Sequence, residues 1–166
     1  MGINFDKFDS YDPFEGERII STDEPYINNE QLETVPLFSY QLLNIGDIEE
    51  CCFKRDDAHY IDYHKYFERI KEISSRTLDD LLDNEKHFRF DYRPKGNLLN
   101  AYKKLVGKTY LKPELIPTIG HFDLYTEKRI EGEETKAPRI YFIVGQHAIL
   151  HILFFDLFHE LNPTNY

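Results

Sequence analysis

The stretch RIYFIVGQHAILHILFF, residues 139–155, decides the fold. It holds two apolar runs rich in β-branched and aromatic residues, Arg139–Val144 and His147–Phe155, separated by Gly145–Gln146. Such residues favour strands, and glycine favours the short connection of a hairpin. The stretch therefore predicts a C-terminal β-hairpin. A helix over Gln146–Leu161 is the alternative, because helical spacing also fits His147, His151, Phe154 and Phe158.

Shorter elements are predicted upstream of this hairpin. Apolar residues at three- and four-residue spacing indicate helices, and alternating or β-rich runs indicate strands. The predicted helices are Asp62–Ser74 with Asp62 as its cap, a short helix from Thr77, and Asn97–Val106. The predicted strands are Val35–Ile45, Glu49–Lys54, Lys86–Tyr92 and His121–Thr126. The sequence therefore predicts an α+β fold, with three or so helices packed on a mostly antiparallel sheet that ends in the hairpin.

Length and composition indicate one domain. The chain has 166 residues, of which 41% are apolar and 15% aromatic, enough to fill a core without a metal or a disulfide. We predict that this domain covers residues 35–166. The adjacent cysteines, Cys51 and Cys52, predict reduced thiols on a strand, one facing inward and one outward. No segment has the pattern of a signal peptide or a membrane span, so we expect a cytoplasmic protein with no membrane contact.

Charge is divided unevenly along the chain. The net charge is -10, yet residues 1–34 carry nine acidic and two basic residues, a balance of -7. These residues show no sustained apolar period, so we predict an acidic extended arm. Between Lys86 and Lys112, eight basic residues face one acidic residue, a balance of +7. The arm and the basic segment are therefore electrostatically complementary.

Two interpretations of the basic segment are open. In the first, the charges are solvated outer faces that need no partner. In the second, the segment binds single-stranded RNA, because cations neutralise phosphates and interleaved aromatic rings stack on unpaired bases. The interleaved rings are Phe88, Phe90, Tyr92, Tyr102 and Tyr110. The candidate RNA-binding residues are Lys86, Arg89, Arg93, Lys103, Lys104 and Lys108. On this second interpretation the acidic arm folds over the basic segment and mimics the polyanion.

Histidines and a carboxylate near the C-terminus are the candidates for catalysis. His147, His151 and His159 lie within thirteen residues, with Asp156 among them. A strand would hold the first two about 13 Å apart, too far to share one ion, whereas a helix would place them one turn apart and able to bind one. Because the strand is favoured, we predict no metal. No Gly-rich phosphate-binding loop or dinucleotide fingerprint is present, so we predict no cofactor. Acid–base chemistry by His151, His159 and Asp156 is the catalytic hypothesis, with Arg139 as a phosphate contact. The alternatives are solvated or hydrogen-bonded histidines, a turn-capping Asp156 and a salt-bridged Arg139.

Residues 137–163, APRIYFIVGQHAILHILFFDLFHELNP, resemble the C-terminal hairpin signature of small uncharacterised bacterial proteins. The matching positions are Arg139, Ile140, Leu150, Phe155, Asp156, His159, Glu160 and Pro163. Helices followed by an arginine-led hairpin and a late histidine are similar in layout to RelE/HigB-like ribonuclease toxins. The resemblance implies that fold layout more than it implies a toxin-like activity on RNA. The chain departs from those toxins because it is acidic and longer.

These observations lead to two functional hypotheses. The first is a toxin-like module that associates with RNA or a ribosome and cleaves RNA without a metal. The second is a non-catalytic acidic interaction protein, an accessory in defence or in a toxin–antitoxin pair, which binds a cognate protein partner through its arm. A metal-dependent hydrolase is a third, less favoured class. The oligomeric state does not follow from the sequence.

Overall fold

A computed structural model of the chain describes residues 29–54, 56, 58–84, 88–91, 94–124 and 138–162. Within these ranges the helices are α1 Asn29–Leu32, α2 Tyr60–Ile73, α3 Leu78–Asn84 and α4 Gly96–Leu105. The strands are β1 Leu37–Ser39, β2 Phe88–Asp91, β3 Ile119–Asp123, β4 Arg139–Val144 and β5 Ile149–Asp156. These elements confirm the α+β class and the C-terminal hairpin.

The five strands form one mixed sheet in the order β1-β5-β4-β3-β2. The strands β2 to β5 pair antiparallel with their chain neighbours, while β1 pairs parallel with β5. The prediction of a mostly antiparallel sheet is therefore confirmed. The RelE-like layout stays a prediction, because a mixed sheet with this order does not establish it.

The hairpin turn differs from the predicted Gly145–Gln146 connection. A short 3-10 turn occupies Gln146–Ala148, and both His147 and Ala148 have a positive φ, near 54° and 58°. Consecutive left-handed residues turn the chain back on itself, and the Gly145 amide donates to the Ile149 carbonyl at 2.7 Å. Placing His147 at the start of a strand was wrong, because it lies in this turn.

A β-bulge in β5 sets which residues face which side of the sheet. Tyr141 pairs with Phe154 while Phe142 pairs with Ile152, so Leu153 is the extra residue. Because of this shift, Leu153 and Phe154 both pack on one face and Phe155 returns to the other. Simple alternation along β5 would have placed Phe155 with Leu153.

Two apolar cores lie on opposite faces of the sheet. The first core joins α2 and α3 to the sheet through Tyr66, Ile73, Leu78, Leu81, Ile140, Phe142 and Phe155. The second core joins α4 and the loop before α2 to the sheet through Ile48, Cys51, Leu98, Ala101, Tyr102, Tyr141, Ile143 and Phe154. Burial on both faces explains the almost continuous apolar run of residues 140–155.

The helices begin and end close to the predicted positions. For α2 the N-terminal cap is His59 rather than Asp62, and the Asp62 carboxylate accepts the His59 amide at 2.8 Å in a capping box. The predicted helix was therefore right and its start was two residues late. The helix α4 ends one residue before the predicted Val106, and Gly107 with φ 64° follows it.

The segment before α2 is mostly a loop instead of two strands. Only Leu37–Ser39 of the predicted strand Val35–Ile45 is a strand, and Glu49–Cys51 forms a 3-10 turn inside the predicted strand Glu49–Lys54. The predicted strand His121–Thr126 is shifted too, because β3 begins at Ile119 and ends at Asp123. Alternating apolar patterns therefore identified where these segments lie in the sequence but predicted too much strand in them.

Asn44 organises this loop and explains why it is not a strand. Its side-chain oxygen accepts the amides of Asp47 and Ile48 at 3.0 and 3.1 Å, and its side-chain amide donates to the Ile48 carbonyl. Its own backbone amide donates to Leu153 on β5 at 2.8 Å. The turn buries both Cys51 and Cys52 as free thiols, so the expected one-in, one-out arrangement was wrong.

Predictions about the N-terminal arm fall largely outside the described residues. Residues 1–28 are not described, and Asn29–Leu32 form a single helical turn instead of an extended segment. Gln31 in this turn donates to the Gly145 carbonyl at 2.9 Å, which attaches it to the hairpin turn. The boundary at residue 34 stays a prediction. Among the helices that are described, none has the length and apolar character to cross a membrane.

Candidate functional site

An open cleft of about 710 Å³ lies along α4. One wall is α4 with the loop that follows it, and the others are the turn around Ile48 and Glu50 and the C-terminal turn at Glu160 and Leu161. The lining residues are Ile48, Glu50, Asn97, Asn100, Ala101, Lys103, Lys104, Lys108, Thr109, Glu160 and Leu161. Three of the predicted RNA-binding lysines therefore lie in one cavity.

The amphipathic pattern of α4 places these side chains. Leu98, Ala101 and Tyr102 are buried against the sheet, so the helix presents its polar positions to the cleft. At the C-terminal end, the Gly107 amide donates to Lys104 and the Lys108 amide donates to Lys103. These bonds turn the chain so that Lys108 lies beside the lysines of the last helical turn.

A hydrogen bond closes the cleft at its other end. The side-chain amide of Asn97 donates to the Glu160 carbonyl at 2.9 Å, which holds the C-terminal turn against α4. The wall formed by Glu160 and Leu161 therefore depends on contacts across 63 residues of sequence. Asn44 holds the opposite wall, because it fixes the turn that contains Ile48.

The cleft is positively charged within an acidic chain. Lys103, Lys104 and Lys108 face Glu50 and Glu160, which leaves one excess positive charge where the whole chain carries -10. The lysine side chains lie near the helix C-terminus, which the helix dipole favours. Ammonium groups gathered in a cavity bind phosphates or carboxylates, so the cleft is suited to an anionic ligand.

The remaining predicted RNA-binding residues do not line this cleft in the described part of the chain. Arg89 is exposed on β2 and pairs across the strands with His121. Lys86 and Arg93 lie outside the described residues. The structure therefore brings together half of the predicted set.

A second polar group lies at the end of the sheet, on the same face as α4. Cross-strand pairing puts Asp123 beside Arg139, and Arg139 beside Asp156. Arg139 Nε donates to Asp123 Oδ1 at 3.1 Å, and both side chains are about 15% exposed (15% and 14%). Arg139 therefore forms a salt bridge that matches its charge, but the pair is mostly buried and not the surface salt bridge that the sequence suggested as the alternative.

His121 is buried next to this ion pair. Burial lowers the pKa of His121 to about 4, with a further contribution from the positive charge of Arg139. Asp123 opposes the shift, while Arg89 and His159 add to it. Within the described part of the chain, His121 Nδ1 has no hydrogen-bond partner. His121 is therefore a neutral imidazole at pH 7.

Asp156 has a structural role in this group. Its side chain is fully buried, and its two carboxylate oxygens accept the amides of Glu160 and Leu161 at 2.9 and 3.0 Å. Burial raises the pKa of Asp156, and backbone donors from Leu161, Glu160 and Phe158 oppose that rise. The carboxylate thus caps the C-terminal turn, as one of the two sequence interpretations expected.

The two candidate catalytic histidines lie in separate places. His151 pairs with Ile143 and Ser39 near the hairpin turn, and its ring packs so closely on Gly145 that a Cβ there would be 2.5 Å from Nε2. Burial lowers the pKa of His151. His159 is in the C-terminal turn with φ 59°, where it acts on the pKa of His121. Both side chains are buried, and His159 interacts electrostatically with His121, whose pKa Arg139 also lowers.

Sequence reasoning missed His121 and Asp123. Their spacing of two residues within HFD places both on one face of a strand, so the pattern was visible. It carried little weight because nothing local indicates that Arg139 pairs with that strand.

The described residues contain no group of three His, Cys, Asp or Glu side chains that could hold a metal ion together. Comparison of the chain with protein-family models, with curated proteins and with solved structures finds no match.

Proposed function

We propose that this protein binds RNA and that the lysine-lined cleft along α4 holds the RNA backbone. One observation carries the proposal: Lys103, Lys104 and Lys108 line the same open cavity of an otherwise acidic chain. Phosphate contacts by lysines supply sequence-independent affinity for nucleic acids. The toxin-like role and the association with a ribosome remain hypotheses within this proposal.

The geometry supports RNA binding better than RNA cleavage. A proton carrier must reach the reacting atoms, and His151, His159 and Asp156 are all buried. None of the three lines the cleft that contains the lysines. The acid–base mechanism expected from the sequence is therefore the part of the toxin-like hypothesis with the least support. We expect RNA to remain intact after incubation with the protein.

Replacing Lys103, Lys104 and Lys108 together with glutamine should weaken RNA binding at least tenfold near 0.1 M salt. Each lost phosphate contact removes about 0.7 from the slope of log affinity against log salt for a single strand. The three substitutions should therefore reduce that slope by about 2. Fluorescence anisotropy of a labelled RNA over a series of salt concentrations measures both quantities.

The matched control for this triple variant changes the same charge elsewhere. Lys54, Lys65 and Lys71 do not line the cleft, and their replacement with glutamine also removes three positive charges. This control should keep most of the affinity. Equal losses in the two variants would show that net charge, not the cleft, determines binding. A wild-type protein that binds no RNA at low salt would rule out the proposal.

A protein-interaction module is the second candidate, and one surface feature favours it. Residues 35–46 contain no charged residue in a chain that is 30% charged, and they expose Val35, Leu37, Tyr40 and Ile45. Depletion of charge with exposed apolar and aromatic side chains is typical of the centre of an interface. On this hypothesis the partner contacts the edge of the sheet at β1.

Leu37→Lys should release a partner that binds at this edge. The Leu37 side chain is 63% exposed, so the substitution costs little folding free energy but puts a charge into the apolar contact. Leu115, 43% exposed in the 3-10 turn Pro113–Leu115, provides the control substitution Leu115→Lys. Co-purification of the tagged protein measures the effect. A partner retained by both variants would show that this edge is not the contact.

A further inference from the structure

Tyr110 stands apart from the other aromatic residues of the basic segment. Of the five rings interleaved with the cations, Phe88 and Tyr102 are buried in the two cores. The side chains of Phe90 and Tyr92 are not described. Tyr110 is 70% exposed. Among the described rings of this set, Tyr110 is therefore the one that a ligand in solvent can reach.

Tyr110 directly follows two residues that line the lysine-lined cleft. After the turn at Gly107, both Lys108 and Thr109 line the cleft, and Tyr110 is the next residue. The backbone is constrained on both sides of it. The Lys108 amide donates to Lys103 at 2.9 Å, and a 3-10 turn begins at Pro113, where the Leu115 amide donates to Lys112. Tyr110 therefore lies in a short connection between two points of the backbone that hydrogen bonds hold.

We propose that Tyr110 is a stacking platform for an unpaired base of the RNA held in the cleft. This inference rests on the proposed RNA binding and specifies its ligand as single-stranded. The lysines contact phosphates, which single strands, duplexes and inorganic polyphosphate all possess. An aromatic ring stacks on the face of a base, and in a duplex the faces of the bases are covered by their neighbours. Tyr110 thus makes the site selective for single strands.

Tyr110→Ala should lower the affinity for a short single-stranded RNA about 5- to 150-fold, the range expected for one base–aromatic stack. Affinities for a duplex of the same length and for inorganic polyphosphate should stay unchanged. Tyr110→Phe keeps the ring and should retain the single-strand affinity. Tyr60, 85% exposed on α2, provides the control Tyr60→Ala, which should have no effect.

The outcomes separate this inference from the proposed function. Equal losses for single-stranded RNA and polyphosphate in Tyr110→Ala would overturn stacking and leave the lysine cleft in place. Unchanged single-strand affinity would overturn it as well. Loss of binding in the triple lysine variant together with a selective loss in Tyr110→Ala would support both. Absence of RNA binding by the wild-type protein would overturn both.

Discussion

Asp156→Ala is expected to lower the free energy of unfolding by about 3 to 5 kcal/mol. The carboxylate is fully buried and accepts the backbone amides of Glu160 and Leu161 at 2.9 and 3.0 Å. Alanine leaves the buried Leu161 amide and the part-buried Glu160 amide without their acceptor, and an unsatisfied buried amide costs about 1 to 3 kcal/mol. Urea denaturation followed by circular dichroism measures the change as a lower midpoint with an unchanged slope.

Two further variants show whether the acceptor role explains this loss. Asp156→Asn keeps one carbonyl oxygen and should retain part of the stability, so its unfolding midpoint should fall between those of Asp156→Ala and the wild type. Asp83, exposed on α3, supplies the control Asp83→Ala, which should change the free energy by less than about 0.5 kcal/mol. A fully stable Asp156→Ala protein would contradict the capping role and restore Asp156 as a candidate for chemistry.

The same substitution connects the fold to the cleft. Glu160 and Leu161 form one wall of the cleft, and the Asp156 carboxylate holds their amides. A turn that loses its cap should also weaken the bond from Asn97 to the Glu160 carbonyl. Any loss of RNA affinity in Asp156→Ala therefore has to be compared with its loss of stability before a direct role is assigned.

The sequence predicted the elements whose patterns are local. The hairpin was found because residues 139–155 are β-branched and aromatic on both sides of a glycine. The helix α2 followed from apolar spacing, and only its cap was misplaced. The bulge at Leu153 could not be predicted, because it is visible only in the pairing of β5 with β4. The prediction of strands around Asn44 was wrong for the same reason, because hydrogen bonds to the loop's own backbone and to Leu153 determine its conformation.

The candidate site was predicted in part. The lysines of α4 were found because charge and helical period are both readable in sequence. The prediction that aromatic rings of the basic segment stack on RNA bases does not suit Phe88 and Tyr102, because both are buried in the cores. Burial depends on tertiary packing and could not be read from the local pattern. His151 and His159 were predicted to share one site because they are close in sequence. In the structure β5 separates them, and His159 interacts with His121 instead. Long-range strand pairing, which no local pattern encodes, decided these cases.

Lowering the pH from 6.5 to 4 is expected to remove about 3 kcal/mol of stability through His121 alone. Its pKa in the folded protein is about 4, against an ordinary value of 6.5. Above pH 6.5 the imidazole is neutral in both states, so it adds no pH dependence. Below that pH, His121 binds a proton in the unfolded chain but stays neutral in the folded protein, because burial disfavours the imidazolium. Stability therefore falls with pH until the folded imidazole is protonated near pH 4.

His121→Phe separates this contribution from other titrating groups. Phenylalanine keeps an aromatic ring beside Tyr141 but cannot take up a proton. His151, whose pKa is also lowered, and Asp156, whose pKa is raised, stay in both proteins and cancel in the difference. Urea denaturation at several pH values should show that the wild type loses about 3 kcal/mol more than the variant between pH 6.5 and 4.

The control and the contrary outcome both concern the charges around the imidazole. His64 is exposed on α2, so His64→Gln should leave the steep pH dependence of the wild type in place. Identical pH profiles for His121→Phe and the wild type would show that Asp123 stabilises the imidazolium as strongly as burial, Arg139, Arg89 and His159 oppose it. In that case the folded protein would bind a proton at His121 at mildly acidic pH, and the charges of His121 and Arg139 would balance those of Asp123 and Asp156 at the buried end of the sheet. A flattened profile in His121→Phe would instead show that burial keeps His121 neutral in the folded protein, and the proposed RNA binding would then rest on the lysine-lined cleft alone.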